Sequence, residues 1–240
     1  MTFVLPFPMD GVIVELGGGS NPFMKRIAGL KSVNVDIQAL PGVDVVRNLE
    51  EDFSDIGSFD GLYSQYLLEH ISWRKVPHFL EQCYAILKPE MYAIFVCPDT
   101  YAQLQKIMER SPEKITEGDS CFLYGGQEHP DNTHKWLISR PFLKRLMEDA
   151  GFTEVDFVTY PDPAARDMFV IGKRPAKSQG KAMPTLYEGK GLKIWHRGLP
   201  DAESPDHAAE PLVSQSKTPV ESKLASFHRY LNKERGGLIY

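Results

Sequence analysis

A glycine turn and a carboxylate placed about twenty residues later could together hold an adenosine-containing ligand. Gly17, Gly18 and Gly19 follow the apolar run 12–16, and glycines let the backbone approach a ligand that a Cβ atom would exclude. A second apolar run ends at Asp36, whose carboxylate can accept the protons of both ribose hydroxyls. Neighbouring strands of a parallel sheet end at one crevice, where nucleotides bind. The two features therefore predict a cofactor crevice.

The residues around the turn distinguish between two kinds of cofactor. A nicotinamide dinucleotide requires Gly-x-Gly-x-x-Gly, because the last glycine allows close packing of helix and strand. Gly17 and Gly19 fit, but Pro22 occupies the third position, and proline suits a helix start or a turn. Glu15 stands two residues before the first glycine, where the dinucleotide fingerprint requires no acid. The flanking residues therefore disfavour a dinucleotide.

The Glu-x-Gly-x-Gly pattern over 15–19 resembles the first motif of class I S-adenosylmethionine-dependent methyltransferases. The resemblance implies that Glu15 orders the loop or contacts the amino group of the cofactor's methionine part, and both roles stay open. It also implies that Asp36 holds the ribose hydroxyls. The cofactor expected is S-adenosyl-L-methionine, bound at this first motif by Glu15, Gly17, Gly18, Gly19, Asn21, Asp36 and Ile37.

A second cofactor contact is expected after the third strand, in the segment 44–50. Asn48 and Leu49 resemble the acid-or-amide and apolar pair of the same family. By this resemblance, Asn48 meets the adenine amino group and Leu49 packs on the ring. The alternative is a loop with a polar surface residue, and it stays open.

The longest resemblance runs through 59–71 and on to 87–92, which resemble the family's fourth strand, its Leu-Glu-His turn and the approach to its fifth strand. Glu90 and Met91 replace the usual pair of glycines there. The resemblance implies that Ser64 and Gln65 line the methionine end of the pocket, with His70 near the transferred methyl group. An alcohol acceptor must lose a proton, and imidazole titrates near neutral pH, so His70 is a candidate base. The alternative is that it only bonds the turn.

A second group of candidate catalytic residues lies in 124–136, within the insertion 100–136 that is expected over the substrate crevice. The segment resembles the Tyr-Gly-Gly…His loop of a subset of small methyltransferases. His129 and His134 are candidates for a base, a substrate ligand or loop scaffolding. No metal site is expected from these two histidines and Cys121, because ligand spacing is lacking. Asp99 follows the fifth strand at the same crevice, and of a crevice role and a helix N-cap role the cap is expected.

These residues are positioned by alternating strands and helices, which predict a doubly wound α/β fold. The expected sheet has seven strands and is mainly parallel with an antiparallel last strand. Apolar runs and alternation place the strands at 12–16, 32–36, 43–46, 59–64, 91–97, 153–159 and 168–173. Helical periodicity places helices at 74–87, 100–110 and 139–150, with an irregular polar segment over 111–136.

Charge divides the chain into two parts. Residues 1–170 hold 15 basic and 25 acidic side chains, whereas 171–240 hold 12 and 7. The distribution predicts a methyltransferase domain over 1–174 and a basic, proline-rich arm over 175–240, with a short helix near 220–232. Only eleven residues precede the first strand, so the insertion, the arm or a partner subunit is expected to cover the pocket, and a homo-oligomer stays open.

The net charge of −5 argues against a general nucleic-acid binder. The apolar runs are too short to cross a bilayer, no signal peptide is apparent, and three scattered cysteines fit a reducing cytoplasm. The sequence thus predicts an enzyme that moves a methyl group to an O or N atom of a small molecule or saccharide. Two alternatives stay open: a non-catalytic cofactor-binding or interaction module, and an RNA or protein methyltransferase that docks through the arm.

Overall fold

The computed structural model describes residues 6–26, 30–158 and 167–177. Their strands form one sheet in the order β3-β2-β1-β4-β5-β7-β6. All strands run parallel except β7, which pairs antiparallel with both β5 and β6. The predicted fold class is therefore confirmed. The strands are β1 Val12–Leu16, β2 Lys31–Asp36, β3 Val45–Val46, β4 Gly61–Gln65, β5 Tyr92–Pro98, β6 Thr153–Val158 and β7 Asp167–Lys173.

Both faces of the sheet are buried, because successive side chains of a strand point to opposite sides. In β4, Leu62 belongs to the larger apolar cluster, whereas Tyr63 belongs to the smaller one on the other face. The larger cluster includes the buried stripe of helix α1, with Phe79 and Leu80 fully buried. The helices are α1 Val76–Ile86, α2 Thr100–Met108, α3 Glu117–Tyr124 and α4 Arg140–Asp149.

The segment that follows the glycine turn is short. Between β1 and β2 the described residues contain a 3-10 turn, Met24–Arg26, and no α-helix. This agrees with Pro22, since proline at this position disfavours the direct helix entry of a dinucleotide domain. The cofactor turn is therefore held by side-chain bonds instead of a long helix packed behind it.

Helix α3 lies inside the segment 111–136 that was predicted to be irregular, so that prediction is wrong. The helix starts from a capping box between Thr116 and Asp119. Asp119 accepts hydrogen bonds from the Thr116 backbone N–H at 2.9 Å and from Arg110 Nη2 at 2.6 Å. The sequence signal was the Thr-x-x-Asp spacing, which marks a helix start.

We expect Asp119→Asn to lower the stability of the protein in a pH-dependent way. The Arg110 hydrogen bond, followed by the Thr116 N–H, lowers the pKa of Asp119 from its ordinary value of 3.8 to about 2. Its contribution is therefore present above about pH 4 and is lost as the pH falls towards 2. Urea unfolding should give a larger difference between wild type and variant at pH 6 than at pH 3. An equal difference at the two pH values would contradict this assignment.

Most of the predicted C-terminal arm falls outside the described residues. Strand β7 ends at Lys173, four further residues are described, and the helix predicted near 220–232 lies in the undescribed part. The division into 1–174 and 175–240 stays a prediction. Within the described ranges, no helix has the length and apolar character that a bilayer crossing would require.

Candidate active site

In the glycine turn after β1, a positive φ angle favours glycine at two positions and a close neighbour favours it at the third. Gly17 and Gly19 have φ angles of +76° and +55°, the left-handed region that glycine favours. A Cβ atom on Gly18 would lie 2.3 Å from Asn34 Oδ1, whereas one on Gly19 would meet nothing within 4 Å. The turn is therefore packed against the protein at Gly18 and open at Gly19, which leaves backbone available to a ligand.

Glu15 holds the loop that follows this turn. Its buried carboxylate accepts the Phe23 N–H at 2.7 Å through Oε1 and the Met24 N–H at 2.6 Å through Oε2. Burial raises the pKa of Glu15, and the two backbone hydrogen bonds act in the opposite direction. Both carboxylate oxygens accept backbone N–H groups at the start of the 3-10 turn, and these contacts are the ones expected if Glu15 orders the loop. A contact of Glu15 with the cofactor stays a prediction.

Asn34 is a structural residue of the site that the sequence analysis missed. It is fully buried in β2, and its Nδ2 donates to the carbonyls of Gly19 and Gly42, both at 2.9 Å. The glycine turn is thereby tied to the loop before β3. The available signal was one amide side chain between two valines of an apolar strand.

Asp36 lies at the end of β2, where it faces the turn. Its Oδ2 accepts the Gly19 N–H at 2.9 Å, and its Oδ1 accepts the Gln38 N–H at 3.0 Å. A carboxylate has about four lone-pair positions, so the side chain can accept further hydroxyl donors. It is partly exposed and lines a cleft.

This cleft has a volume of about 500 Å³, within the range of small-molecule sites. It brings together seven of the predicted site residues: Gly17, Asp36, Ile37, Asn48, Leu49, His70 and His129. Seven others lie outside its lining: Glu15, Gly18, Gly19, Asn21, Ser64, Gln65 and His134. Lining residues that the sequence analysis did not select include Tyr66, Asp131, Asn132 and Lys135.

The nucleotide end of the cleft combines polar and apolar groups. The exposed side chain of Ile37 and the buried Leu49 form apolar walls. Asn48 accepts the Glu50 N–H at 3.0 Å through Oδ1, and its Nδ2 donates to Glu51 Oε1 at 3.1 Å. Open glycine backbone, a carboxylate and two apolar walls are the groups that an adenosine-containing cofactor requires, so the residues present fit this ligand.

Ser64 and Gln65, which were predicted to line the methionine end of the pocket, make bonds within the sheet. Ser64 Oγ donates to the Leu16 carbonyl at 3.1 Å, and Gln65 Oε1 accepts the Tyr63 hydroxyl at 2.7 Å. The next residue, Tyr66, lines the cleft with a φ angle of +53°. Its hydroxyl donates to Asp167 on β7. Cofactor contacts of Ser64 and Gln65 stay predictions, whereas Tyr66 is a cleft residue with a backbone conformation that costs about 1–3 kcal/mol.

The Leu-Glu-His motif forms a 3-10 turn, Leu68–His70, after β4. Glu69 is 1% exposed, and burial raises its pKa to about 8, helped by the charge of Asp167. Burial, followed by the neighbouring His134, lowers the pKa of His70 to about 4. The imidazole of His70 is therefore neutral at neutral pH. Because its Nδ1 lies 3.2 Å from the Thr133 carbonyl, the proton belongs on Nδ1, and Nε2 keeps its lone pair.

The segment 133–136 is bonded to this turn. The Lys135 N–H donates to the Glu69 carbonyl at 2.8 Å, and Trp136 Nε1 donates to the Leu68 carbonyl at 2.8 Å. The rings of His70 and His134 are 5.0 Å apart, centroid to centroid. Burial lowers the pKa of His134, against the backbone of Phe122 and Leu123, which raises it. His134 therefore lies beside His70, although it does not line the cleft itself.

Two further predictions concern residues near the site. Asp99 is the N-cap of α2: its side chain accepts the Ala102 N–H at 3.1 Å, which confirms the expected capping role. Arg140 also pairs with Asp99, at 3.0 Å. Cys121 is exposed on α3 and belongs to none of the carboxylate and imidazole clusters found among the described residues.

The strand order and the glycine turn with its facing carboxylate are typical of a nucleotide-binding α/β domain, and the cleft beside them is also lined by His70 and His129. Comparison with known families agrees with this class. A family profile described as a methyltransferase domain matches residues 2–156. The chain belongs to this methyltransferase family, as a class I S-adenosylmethionine-dependent member, and its cofactor is S-adenosylmethionine.

Solved structures are similar to this chain at low sequence identity. A possible exported protein from Bordetella parapertussis is 15% identical with a TM-score of 0.52, over 70% of this chain and 62% of that one. A SAM-dependent methyltransferase from Archaeoglobus fulgidus is 16% identical with a TM-score of 0.48, over 68% and 86%.

An O-methyltransferase family protein from Burkholderia thailandensis is also 16% identical with a TM-score of 0.48, over 69% of this chain and 51% of that one. The chain thus spans about half the length of the Burkholderia protein. The search of curated proteins found no match.

Proposed function

We propose that this protein transfers a methyl group from S-adenosylmethionine to an O or N atom of a small molecule or saccharide. The observation that carries the proposal is the continuity of one cleft. Asp36 and Asn48 line one part of it, and His70, His129 and Lys135 line another. A cofactor and an acceptor bound there would share one cleft, and proximity of this kind is a main source of rate enhancement.

The proposed binding of the cofactor rests on four residues that line the cleft. Asp36 would accept the ribose hydroxyls, and Asn48 would meet the adenine edge between the apolar walls of Ile37 and Leu49. When bound, S-adenosylmethionine supplies a methyl group on a positively charged sulfur, which is already an excellent leaving group. The protein therefore has to position the acceptor, exclude water and receive a proton.

The acceptor end is lined by polar groups, which favours a polar acceptor. His129, Asp131, Asn132 and Lys135 offer donors and acceptors of hydrogen bonds, as recognition of a hydroxylated molecule requires. His70 Nε2 has a free lone pair on a neutral ring, so it is the candidate to take the proton of an acceptor hydroxyl. His129 and His134 remain the second and third candidates.

The proposal predicts label transfer from [methyl-³H]S-adenosylmethionine to a small-molecule or saccharide pool. We expect His70→Gln to lower the rate by about 100-fold, the lower range for loss of a general base. His78→Gln is the matched control, because His78 lies on the half-exposed side of α1 and away from the cleft. Incorporation into RNA or protein alone would contradict the proposed acceptor class.

A second candidate function follows from the charge distribution. The basic arm over 175–240 would suit docking to RNA or to an acidic protein, since Lys and Arg side chains neutralise phosphates and carboxylates. In the same assay, salt-sensitive labelling of RNA would favour this function. Cofactor binding without any label transfer would instead favour a non-catalytic binding module.

Location in the cytoplasm and formation of a homo-oligomer also remain proposals. The described cysteines Cys83, Cys97 and Cys121 are free, as a reducing compartment would leave them. Exposed apolar side chains on α2 and α3, such as Met108 and Tyr124, are candidates for a covering partner. Light scattering of the full chain would measure the oligomeric state.

A further inference from the structure

We propose that Glu69, His70 and His134 form a binding site for a divalent transition-metal ion at the acceptor end of the cleft. Each of these residues offers one ligand atom, and the three atoms lie within 4.8 Å of one another. His70 Nε2 is 4.0 Å from Glu69 Oε1. Ligands about 2.1 Å from one metal ion are about 3 to 4 Å apart, so small side-chain shifts would complete the coordination.

Two side-chain atoms of this cluster lack hydrogen-bond partners among the described residues. Glu69 Oε2 and His134 Nδ1 are buried and have no hydrogen-bond partner within the described ranges. The Glu69 side chain is only 1% exposed, so bulk solvent does not reach it. Leaving a buried polar atom unsatisfied costs about 1–3 kcal/mol each. A bound cation would accept lone pairs from Glu69, His134 and His70 Nε2, and would displace the proton that the Glu69 carboxyl carries at neutral pH.

The surrounding hydrogen bonds fix the segments that carry these donors. A metal-binding histidine usually donates its other ring N–H to a carbonyl or carboxylate, and His70 Nδ1 has the Thr133 carbonyl at 3.2 Å. The backbone of Glu69 is bonded to Lys135, and that of Leu68 to Trp136. The turn and the segment 133–136 therefore place ligands from two distant parts of the chain on one point.

The donor set selects the kind of ion. One carboxylate oxygen and two imidazole nitrogens suit Zn²⁺, Mn²⁺, Fe²⁺ or Co²⁺, whereas Mg²⁺ and Ca²⁺ prefer oxygen ligands alone. Three protein ligands leave coordination positions open. Because His70 lines the cleft, an open position can face a bound molecule, and an acceptor hydroxyl is the group that fits. This last step rests on the proposed function, and it makes His70 a ligand instead of a base.

Binding of Co²⁺ to the chelator-treated full chain tests the site without cofactor or acceptor. We expect one equivalent to bind with visible d–d absorption, and Glu69→Gln and His134→Gln each to weaken binding at least about 100-fold, a minimum set by the 10–100-fold cost of losing only an outer-shell partner. His78→Gln is the control and should bind Co²⁺ as the wild type does. Unchanged affinity in both cluster variants, or an equal loss in His78→Gln, would overturn the proposal.

Two further measurements keep the result interpretable. Urea unfolding of each variant separates loss of the site from loss of the fold, and the milder His70→Gln provides a third variant if one of the others is unfolded. Calorimetry with S-adenosylmethionine measures the cofactor end separately. Absence of Co²⁺ binding in a chain that transfers methyl groups would remove the metal site alone. Co²⁺ binding without methyl transfer would leave the metal site and remove the proposed function.

Discussion

Asp36→Ala should weaken S-adenosylmethionine binding by about 100-fold, which corresponds to about 2.7 kcal/mol. Two physical effects add up in this variant. Hydrogen bonds from ribose hydroxyls to a carboxylate are charge-assisted and contribute about 1.5–3 kcal/mol. The substitution also releases the Gly19 N–H, which Asp36 Oδ2 accepts at 2.9 Å, so the glycine turn becomes less ordered before the ligand arrives. Isothermal titration calorimetry measures the affinity directly.

Two further variants assign the loss to the carboxylate. Asp36→Asn keeps one acceptor oxygen and the shape of the side chain, so its affinity should fall between those of wild type and Asp36→Ala. Asp149→Ala removes an exposed carboxylate at the end of α4 and should leave the affinity unchanged. If Asp36→Ala binds the cofactor as tightly as the wild type, then Asp36 does not hold the ribose. Binding of NAD in place of S-adenosylmethionine would contradict the assigned cofactor altogether.

The sheet could be predicted from the sequence because its signals are local. The runs 12–16 and 91–97 carry a single charged residue, Glu15, and are otherwise typical of strands buried on both faces. The structure places β1 and β5 within one residue of these bounds. Helix α3 was missed because its residues have little apolar periodicity. Its existence depends on the Thr116–Asp119 capping box and on Arg110, which reaches it from the end of α2.

The candidate site could be predicted only where one segment carries the whole signal. Glu15, the glycines and Asp36 were selected from a single strand-turn-strand pattern. The buried amide of Asn34 was not, because its meaning depends on the Gly42 carbonyl, which only the fold brings near. The cluster of Glu69, His70 and His134 is still harder to predict from the sequence. It joins residues more than sixty positions apart, and its spacing matches no known short metal motif.

Glu15→Ala should destabilise the fold by about 3 kcal/mol, because it leaves two buried backbone groups without an acceptor. The Phe23 and Met24 N–H groups lie at the start of the 3-10 turn, and each unsatisfied buried group costs about 1–3 kcal/mol. Glu15→Gln should be only slightly milder, since its Nε2 would place a donor against one of the two N–H groups. The free energy of unfolding in urea, measured without cofactor, gives both values.

The matched control is Glu109→Ala, an exposed acid at the end of α2, which should change stability by no more than about 0.5 kcal/mol. Measurements on these three variants, compared with the wild type, then distinguish the two roles considered for Glu15. If it orders the loop, stability falls in the absence of cofactor, and affinity for S-adenosylmethionine falls with it because the glycine turn is less well formed. If Glu15→Ala keeps the wild-type free energy of unfolding and loses affinity alone, the carboxylate serves the methionine amino group, and the two backbone bonds contribute little to the fold.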